Sequence, residues 1–159
     1  MSNVNSIAIN INSMNRELLN INFWRNTEQI EAYIHNIIQF VQPTVKYNVR
    51  VTFGENPYCR VDNVKNITIN LPAIPIVLQK SEEDINKLIH SRIFFLKHEL
   101  AHVLFTPLTL NQDSAELHNF QNAVDDIRIE YLFGQTFKGS QKGFYTLRKL
   151  FYNNCKDMV

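Results

Sequence analysis

From Ser81 to Thr106 the chain contains neither glycine nor proline, and Pro107 then stops the run. A stretch this long without a breaker predicts one helix from about Ser81 to Phe105. Ser81, followed three residues later by Asp84, supplies an acidic variant of the capping box at its start. The apolar residues Ile85, Leu88, Ile89, Ile93, Phe94, Phe95, Leu96, Leu100, Val103 and Leu104 fall almost all the way round the axis. A helix that is apolar on nearly every side has to be enclosed by other elements. The rest of the fold is therefore expected to wrap around this helix. At 159 residues the chain is long enough to do so as one domain, with a sheet-containing part over about 1–80 and a helical part over about 81–159.

The first part alternates in the way strands do. Ile7, Ile9 and Ile11 read as a short strand, and Val45, Tyr47, Val49, Val51 and Phe53 share one face of a longer, half-buried strand. Between them, Asn26 and Thr27 offer N-caps to a helix with the stripe Ile30, Ile34, Ile37, Ile38 and Val41, closed by Pro43. Gly54-Glu55-Asn56-Pro57 marks a turn, after which Tyr58–Val61 and Asn66–Leu71 are short strands. Pro72 and Pro75 confine Leu71–Ile76 to an edge or a loop. Beyond Pro107, Ser114 caps a helix running to about Phe133, with Gly134 following it. An amphipathic helix over about Gln141–Asn153 carries Phe144, Leu147, Leu150 and Phe151. The fold class is α+β.

Composition narrows the partners. The net charge is +1 with 19% charged residues, so bulk electrostatics favour neither nucleic acid nor a charged membrane surface. The nearest basic cluster, Lys138, Lys142, Arg148, Lys149 and Lys156, reads as a solvated helix face. No apolar run reaches the roughly 20 residues of a membrane span, and the N-terminus lacks the basic and apolar regions of a signal peptide. A cytoplasmic protein is expected. Cys59 and Cys155 share no motif and read as free thiols.

The chemistry sits on the long helix. His98-Glu99-Leu100-Ala101-His102 places two imidazoles four residues apart, roughly 40° round the axis, where both can turn a ring nitrogen to one zinc ion. Glu99, turned about 100° from His98, reaches a metal-activated water without ligating, and fits the general base of peptide hydrolysis. A third ligand is needed. The residue where a metzincin continuation would require histidine is Leu108, which excludes that class. The stretch Asn122-Ala123-Val124-Asp125-Asp126-Ile127-Arg128-Ile129-Glu130 offers acids instead, with Asn122, Asp126 and Glu130 one turn apart on one face. Asp126 is the first choice as ligand. Glu130 suits a hydrogen bond to a ligating imidazole, while Asp125 and Glu130 both stay open as ligands. The bland alternative makes Asp125, Asp126, Arg128 and Glu130 a solvated charged face. Leu117, Phe120, Val124, Ile127 and Tyr131 form the opposite, apolar stripe, so this helix is expected to be packed on both sides. His118, Tyr131, Tyr145 and Arg128 are candidates for stabilising an oxyanion, and His118 could also ligate. Tyr145 and the other tyrosines read more simply as core aromatics.

These two segments together resemble the zincin metallopeptidases. They are most similar to gluzincin-like groups of bacterial and phage proteins whose second motif reads approximately N-x-x-[ED]-D-x-R-[IV]-E, some of them attached to von Willebrand factor A domains. The resemblance covers about Ser81 to Phe133 and exchanges the acids at Asp126 and Glu130 relative to thermolysin-like members. It implies a minimal zincin fold: a small, mostly antiparallel sheet, the buried motif helix, and a second helix carrying the third ligand. It also implies one Zn²⁺ per chain, a peptide or protein substrate, and a sheet-edge strand alongside that substrate, for which Asn66–Leu71 is the candidate by position. A different class of function competes with it: a non-catalytic zinc-containing module that binds or adapts within a larger, phage-type assembly. Small size favours the module. Glu99 favours the enzyme, because a structural zinc needs no base beside it.

Overall fold

The computed structural model describes residues 16–62, 65–73, 81–106, 115–145 and 148, with side chains described from residue 120 onward in the segment that starts at 115. The expected strand at Ile7–Ile11, the Ser114 cap, the end of the last helix, the His118 side chain and Cys155 all lie outside the described residues. The described chain is mixed α and β, and it divides into two compact units, Met1–Ile93 and Phe94–Val159. The boundary between the two units falls inside the long helix.

In the first unit, helix α1 spans Thr27–Val41 and starts where Asn26 accepts a hydrogen bond from the Gln29 N–H at 3.2 Å. Its stripe of Ile30, Ile34, Ile37 and Ile38 is buried, and Tyr33 joins it. Immediately before α1 a 3-10 turn, Phe23–Arg25, sets Phe23 edge-on to both Trp24 and Tyr33. The Trp24 indole N–H donates to the Leu18 carbonyl at 2.7 Å, which satisfies the one polar group of an otherwise buried ring.

Three strands follow: β1 (Asn48–Gly54), β2 (Tyr58–Val61) and β3 (Asn66–Pro72), in the order β1-β3-β2. Two expectations are overturned here. The sheet is mixed, not mostly antiparallel: β1 and β3 run parallel from Asn48↔Asn66 to Gly54↔Pro72, and only β2 and β3 are antiparallel. Asn66–Leu71 is also the central strand and not an edge. The β2–β3 connection explains both. Lys65 adopts a left-handed conformation (φ 64°), and Asp62 accepts from both the backbone and side-chain amides of Asn66. That turn folds β3 back along β2, and β1 adds to β3's other side. Burial agrees with a central position, because Ile67, Ile69 and Leu71 are fully buried on one face and Asn70 is buried on the other.

Asn70 is held by the Thr52 hydroxyl, which donates to its Oδ1, and by the Asn56 carbonyl, which accepts from its Nδ2. A side chain at Gly54 would press on that amide, since a Cβ there would stand 2.9 Å from Asn70 Nδ2. On the side of β1 nearest α1, Glu31 accepts from the Val51 N–H at 2.9 Å. Its carboxylate answers a backbone donor that an edge strand otherwise offers to other chains.

Helix α2 spans Glu82–Phe105, and the capping box at its start is formed: the Ser81 hydroxyl donates to Asp84 and accepts from the Asp84 N–H. Its enclosure is less complete than the sequence suggests. Glu82, Glu83, Asn86, Lys87 and His90 are exposed, and only from Ser91 onward is no residue exposed. Arg92 stands at that transition. Its guanidinium lies 4.5 Å from the Phe53 ring centroid and donates to the Pro72 carbonyl at 2.7 Å, and burial pulls its pKa down to about 10.

In the second unit, helix α3 spans Ala115–Thr136 and runs through Gly134, where the sequence places its end. A Cβ at Gly134 would stand 2.4 Å from Gln141 Cγ, so glycine is kept here for the close return of the chain. That return turns at Gly139 (φ 96°) into a helical stretch over residues 140–145. Phe133, Phe137 and Phe144 pack together at 4.6 and 5.9 Å between ring centroids, with Ile129 buried on the same helix. The opposite stripe does not pack as expected. Phe120, Val124, Ile127 and Tyr131 are 50–67% exposed, and Tyr145, read above as a core aromatic, is 71% exposed. Helical periodicity identifies residues that share a face but not what covers that face.

The central position of β3 sets a stability expectation. Ile69→Ala should lower the unfolding free energy by about 2–5 kcal/mol, the range for emptying a fully buried aliphatic site. Chemical denaturation followed by circular dichroism reads this directly. The same truncation at exposed Phe53 should cost much less.

Candidate metal centre

His98 and His102 stand one turn apart on α2, with ring centroids 4.9 Å apart and ring planes at 85°. Each ring has one nitrogen occupied by the protein. The His98 Nδ1 lies 3.0 Å from Glu130 Oε1, and the His102 Nδ1 lies 3.0 Å from Thr106 Oγ1. With both Nδ1 atoms engaged, each ring turns its Nε2 toward the same carboxylate oxygen. Asp126 Oδ1 is 3.7 Å from His98 Nε2 and 3.1 Å from His102 Nε2.

These separations suit a metal ion. Ligand atoms about 2.0–2.1 Å from a tetrahedral zinc stand roughly 3.3 Å apart, between the two distances observed. One donor atom from each of His98, His102 and Asp126 can be chosen so that all lie within 4.8 Å of one another, and among the described residues these three form the group able to hold a metal. The donor set of two imidazoles and one carboxylate is the chemistry of a zinc site with a position left open. Asp126 is the most exposed of the three, so the site has an open side.

The supports of the two histidines differ in kind. Glu130 is buried, and its other oxygen is bound by the Arg148 guanidinium, so a charged pair backs His98. His102 is backed by a hydroxyl: Thr106, one turn later on α2, donates to Asp125 Oδ2 at 2.6 Å. The Arg128 guanidinium binds Asp125 Oδ1 and also donates to the Phe105 carbonyl. Each support follows the rule that a ligating imidazole is oriented through its second nitrogen.

Charge follows geometry. Burial works against the protonated form of His98, but the hydrogen bond to Glu130 and the nearby charges of Asp126, Glu99 and Glu130 outweigh it, so its pKa is raised. For Asp125, burial favours the neutral acid. The hydrogen bonds from Thr106 and Arg128, with the Arg128 and His102 charges, prevail and hold it below the ordinary carboxylate range. Glu99 is buried beside the histidines and contributes to the field on His98.

The acidic stretch thus divides. Asp126 joins the histidines and Glu130 supports His98. Asp125, 3.8 Å from His102 Nδ1, is committed to Thr106 and Arg128. Asn122, one turn before Asp126, is exposed. Of the residues considered for an oxyanion, Arg128 is engaged with Asp125, while Tyr131 and Tyr145 line a cleft of about 250 Å³ that also touches Glu130 and Arg148. Sequence reasoning missed Thr106. Its position four residues after His102, on the last turn of the helix, is the signal that could have marked it. Arg148 was visible only as part of a basic cluster.

Comparison with protein-family models, with curated proteins and with solved structures finds no match to this chain.

Two outcomes follow for the metal-free protein. The raised pKa of His98 makes its protonated form a stabilising element, fully present below about pH 6.5 and lost as pH rises through the higher folded-state value. Thermal denaturation after chelation should show stability falling with pH over that window, and Glu130→Gln should flatten the fall. The same substitution should weaken divalent metal binding by about 10–100-fold, because it removes the charge behind His98. Competition against a chromogenic chelator measures that loss.

Proposed function

We propose that the chain is a zinc-dependent peptidase in which His98, His102 and Asp126 hold one Zn²⁺ and Glu99 is the general base. The observation that carries this reading is the orientation of the two imidazoles. Both Nδ1 atoms are engaged by oxygen acceptors, and both Nε2 atoms face Asp126 Oδ1. An ordinary charged surface has no reason to align two rings in this way. The resemblance of the two motifs to zincins points the same way.

A zinc ion in this position would supply Lewis acidity for a carbonyl oxygen and lower the pKa of a water molecule to about 7. Glu99 then takes a proton from the attacking water and returns it to the leaving amine nitrogen, which cannot depart as an anion. Burial suits Glu99 to this task, since a base shielded from bulk water keeps the proton it accepts for the leaving group. Glu130 with Arg148, and Thr106 with Asp125, hold the two imidazoles at fixed angles, so that little rearrangement accompanies the chemistry. The open side at Asp126 is where a peptide carbonyl would approach.

Purified protein should carry about one zinc per chain, and His102→Ala should abolish it. Elemental analysis of both proteins tests the metal site. Glu99→Gln should keep the zinc and lose cleavage of denatured protein or peptide-library substrates by about 100-fold or more, the scale of a missing general base. Zinc-free wild-type protein would overturn the metal site. Undiminished cleavage by Glu99→Gln would overturn the role given to Glu99.

A further inference from the structure

Arg128 touches two things at once. Helix α2 ends at Phe105, and the last carbonyls of a helix have no partner within it. The Arg128 guanidinium supplies one: its Nη2 donates to the Phe105 carbonyl at 2.8 Å. The same group reaches Asp125 Oδ1 through both Nη2 and Nε, the latter at 2.9 Å. A single planar fork therefore holds the end of α2 and a carboxylate of α3 together. Thr106, next to Phe105, is fixed by both. Its backbone N–H donates to the His102 carbonyl at 2.9 Å, and its hydroxyl donates to Asp125 Oδ2 at 2.6 Å.

The direction of these bonds decides which nitrogen of His102 is left over. A hydroxyl has one proton, and an ionised carboxylate only accepts. Thr106 donates that proton to Asp125, so toward His102 Nδ1, 3.0 Å away, its oxygen can only accept. The proton in that contact is the imidazole's own. Nε2 then keeps the lone pair that a metal ion needs. Asp125 cannot serve His102 directly, because its Oδ2 stands 3.8 Å from Nδ1, beyond a hydrogen bond. We propose that Arg128 is a positioning residue of the metal centre, acting through Asp125 and Thr106 to hold the His102 ring with Nε2 toward Asp126 Oδ1. The inference rests on the metal site proposed above and adds to it a side chain outside the ligand set.

Charge and geometry make opposite forecasts for Arg128. It is a cation near a site for a cation, and it neutralises Asp125. By Coulomb's law alone, its removal should tighten divalent metal binding. As a positioning residue, its removal should weaken binding. Asp125 would lose its fixed orientation, the Thr106 hydroxyl would rotate freely, and the Nδ1–H of His102 would lose a settled acceptor. Lysine separates the two further. It keeps the charge, so charge alone forecasts no change, but a point-like ammonium does not reproduce the fork between Asp125 and Phe105.

Zinc affinity, measured by competition with a chromogenic chelator, should fall about 10–100-fold in Thr106→Val, which keeps the side-chain shape and removes the hydroxyl. Thr106→Ser should restore it. Arg128→Met should weaken binding by about 10-fold or more, and Arg128→Lys should not rescue it. Because the two residues act in series, the variant carrying both Thr106→Val and Arg128→Met should bind within about twofold of Thr106→Val alone, whereas independent losses multiply. With Co²⁺ in place of zinc, the Nδ1 protons of the ligating imidazoles give exchangeable proton resonances displaced from the rest of the NMR spectrum. The His102 signal should persist in the wild type and in Thr106→Ser, and vanish through fast exchange with water in Thr106→Val and Arg128→Met. Should Arg128→Met lose its helical circular dichroism, Arg128→Lys carries the same comparison. Unchanged or tighter zinc binding in the Arg128 variants overturns the proposal, and so do losses that multiply. A wild type that binds no zinc removes the metal site itself, which is a different result from a wild type that binds zinc and Arg128 variants that bind it equally well. None of these measurements uses cleavage, so a failure of the peptidase reading is seen separately.

Discussion

The candidate site depends on where two imidazole protons go. A histidine on a helix can rotate about two bonds, and a pair one turn apart shares a metal only when both rings stop at compatible angles. Here the stop is provided from behind. His98 rests on Glu130, itself fastened to Arg148, and His102 rests on Thr106, itself fastened to Asp125. Each contact removes rotational freedom that a metal would otherwise have to remove, and each makes the remaining nitrogen the donor. Asp126 closes the group because it lies one turn before Glu130, so a single helix brings both a ligand oxygen and a support to the pair.

Two carboxylates next to each other in sequence thereby have opposite duties. Asp125 turns to Thr106 and Arg128, and Asp126 turns to the histidines. Adjacent residues on a helix point about 100° apart, so one serves the backing and the other the opening. The field of these acids on His98 follows from the same arrangement. A cluster that favours a proton on an imidazole also favours a divalent cation, since both answer the same excess of negative charge.

Much of this was legible in the sequence, and the boundary has physical causes. The helices α1 and α2 were readable because caps and breakers are local: Asn26, Ser81 with Asp84, and Pro43 each act within one turn. Helical spacing put His98 and His102 on one face and made Asp126 the first choice among the acids of the next helix, but that Asp126 meets the pair, with Asp125 turned away, is seen only in the tertiary structure. The order of the strands was not, because alternation at Ile67, Ile69 and Leu71 says that one face is buried and nothing about which strands flank it. The exposed seam was misjudged for a related reason. Phe120, Val124, Ile127 and Tyr131 form an apolar stripe whether the cover comes from the same chain or from another. Thr106 was missed because its importance depends on Asp125, a residue 19 positions away that only tertiary structure brings near.

The unlike backing of the two histidines also divides the site by how directly each ring leans on α3. Behind His98 stands Glu130 of α3 itself, bound in turn by Arg148 beyond the Gly139 turn. Behind His102 stands Thr106 of its own helix, whose hydroxyl is turned by Asp125 of α3. Both imidazoles therefore take their angle from α3, one by contact and the other through a hydroxyl relay. A change that shifted α3 would leave His98 without its acceptor, while His102 would keep an oxygen within reach but one free to rotate.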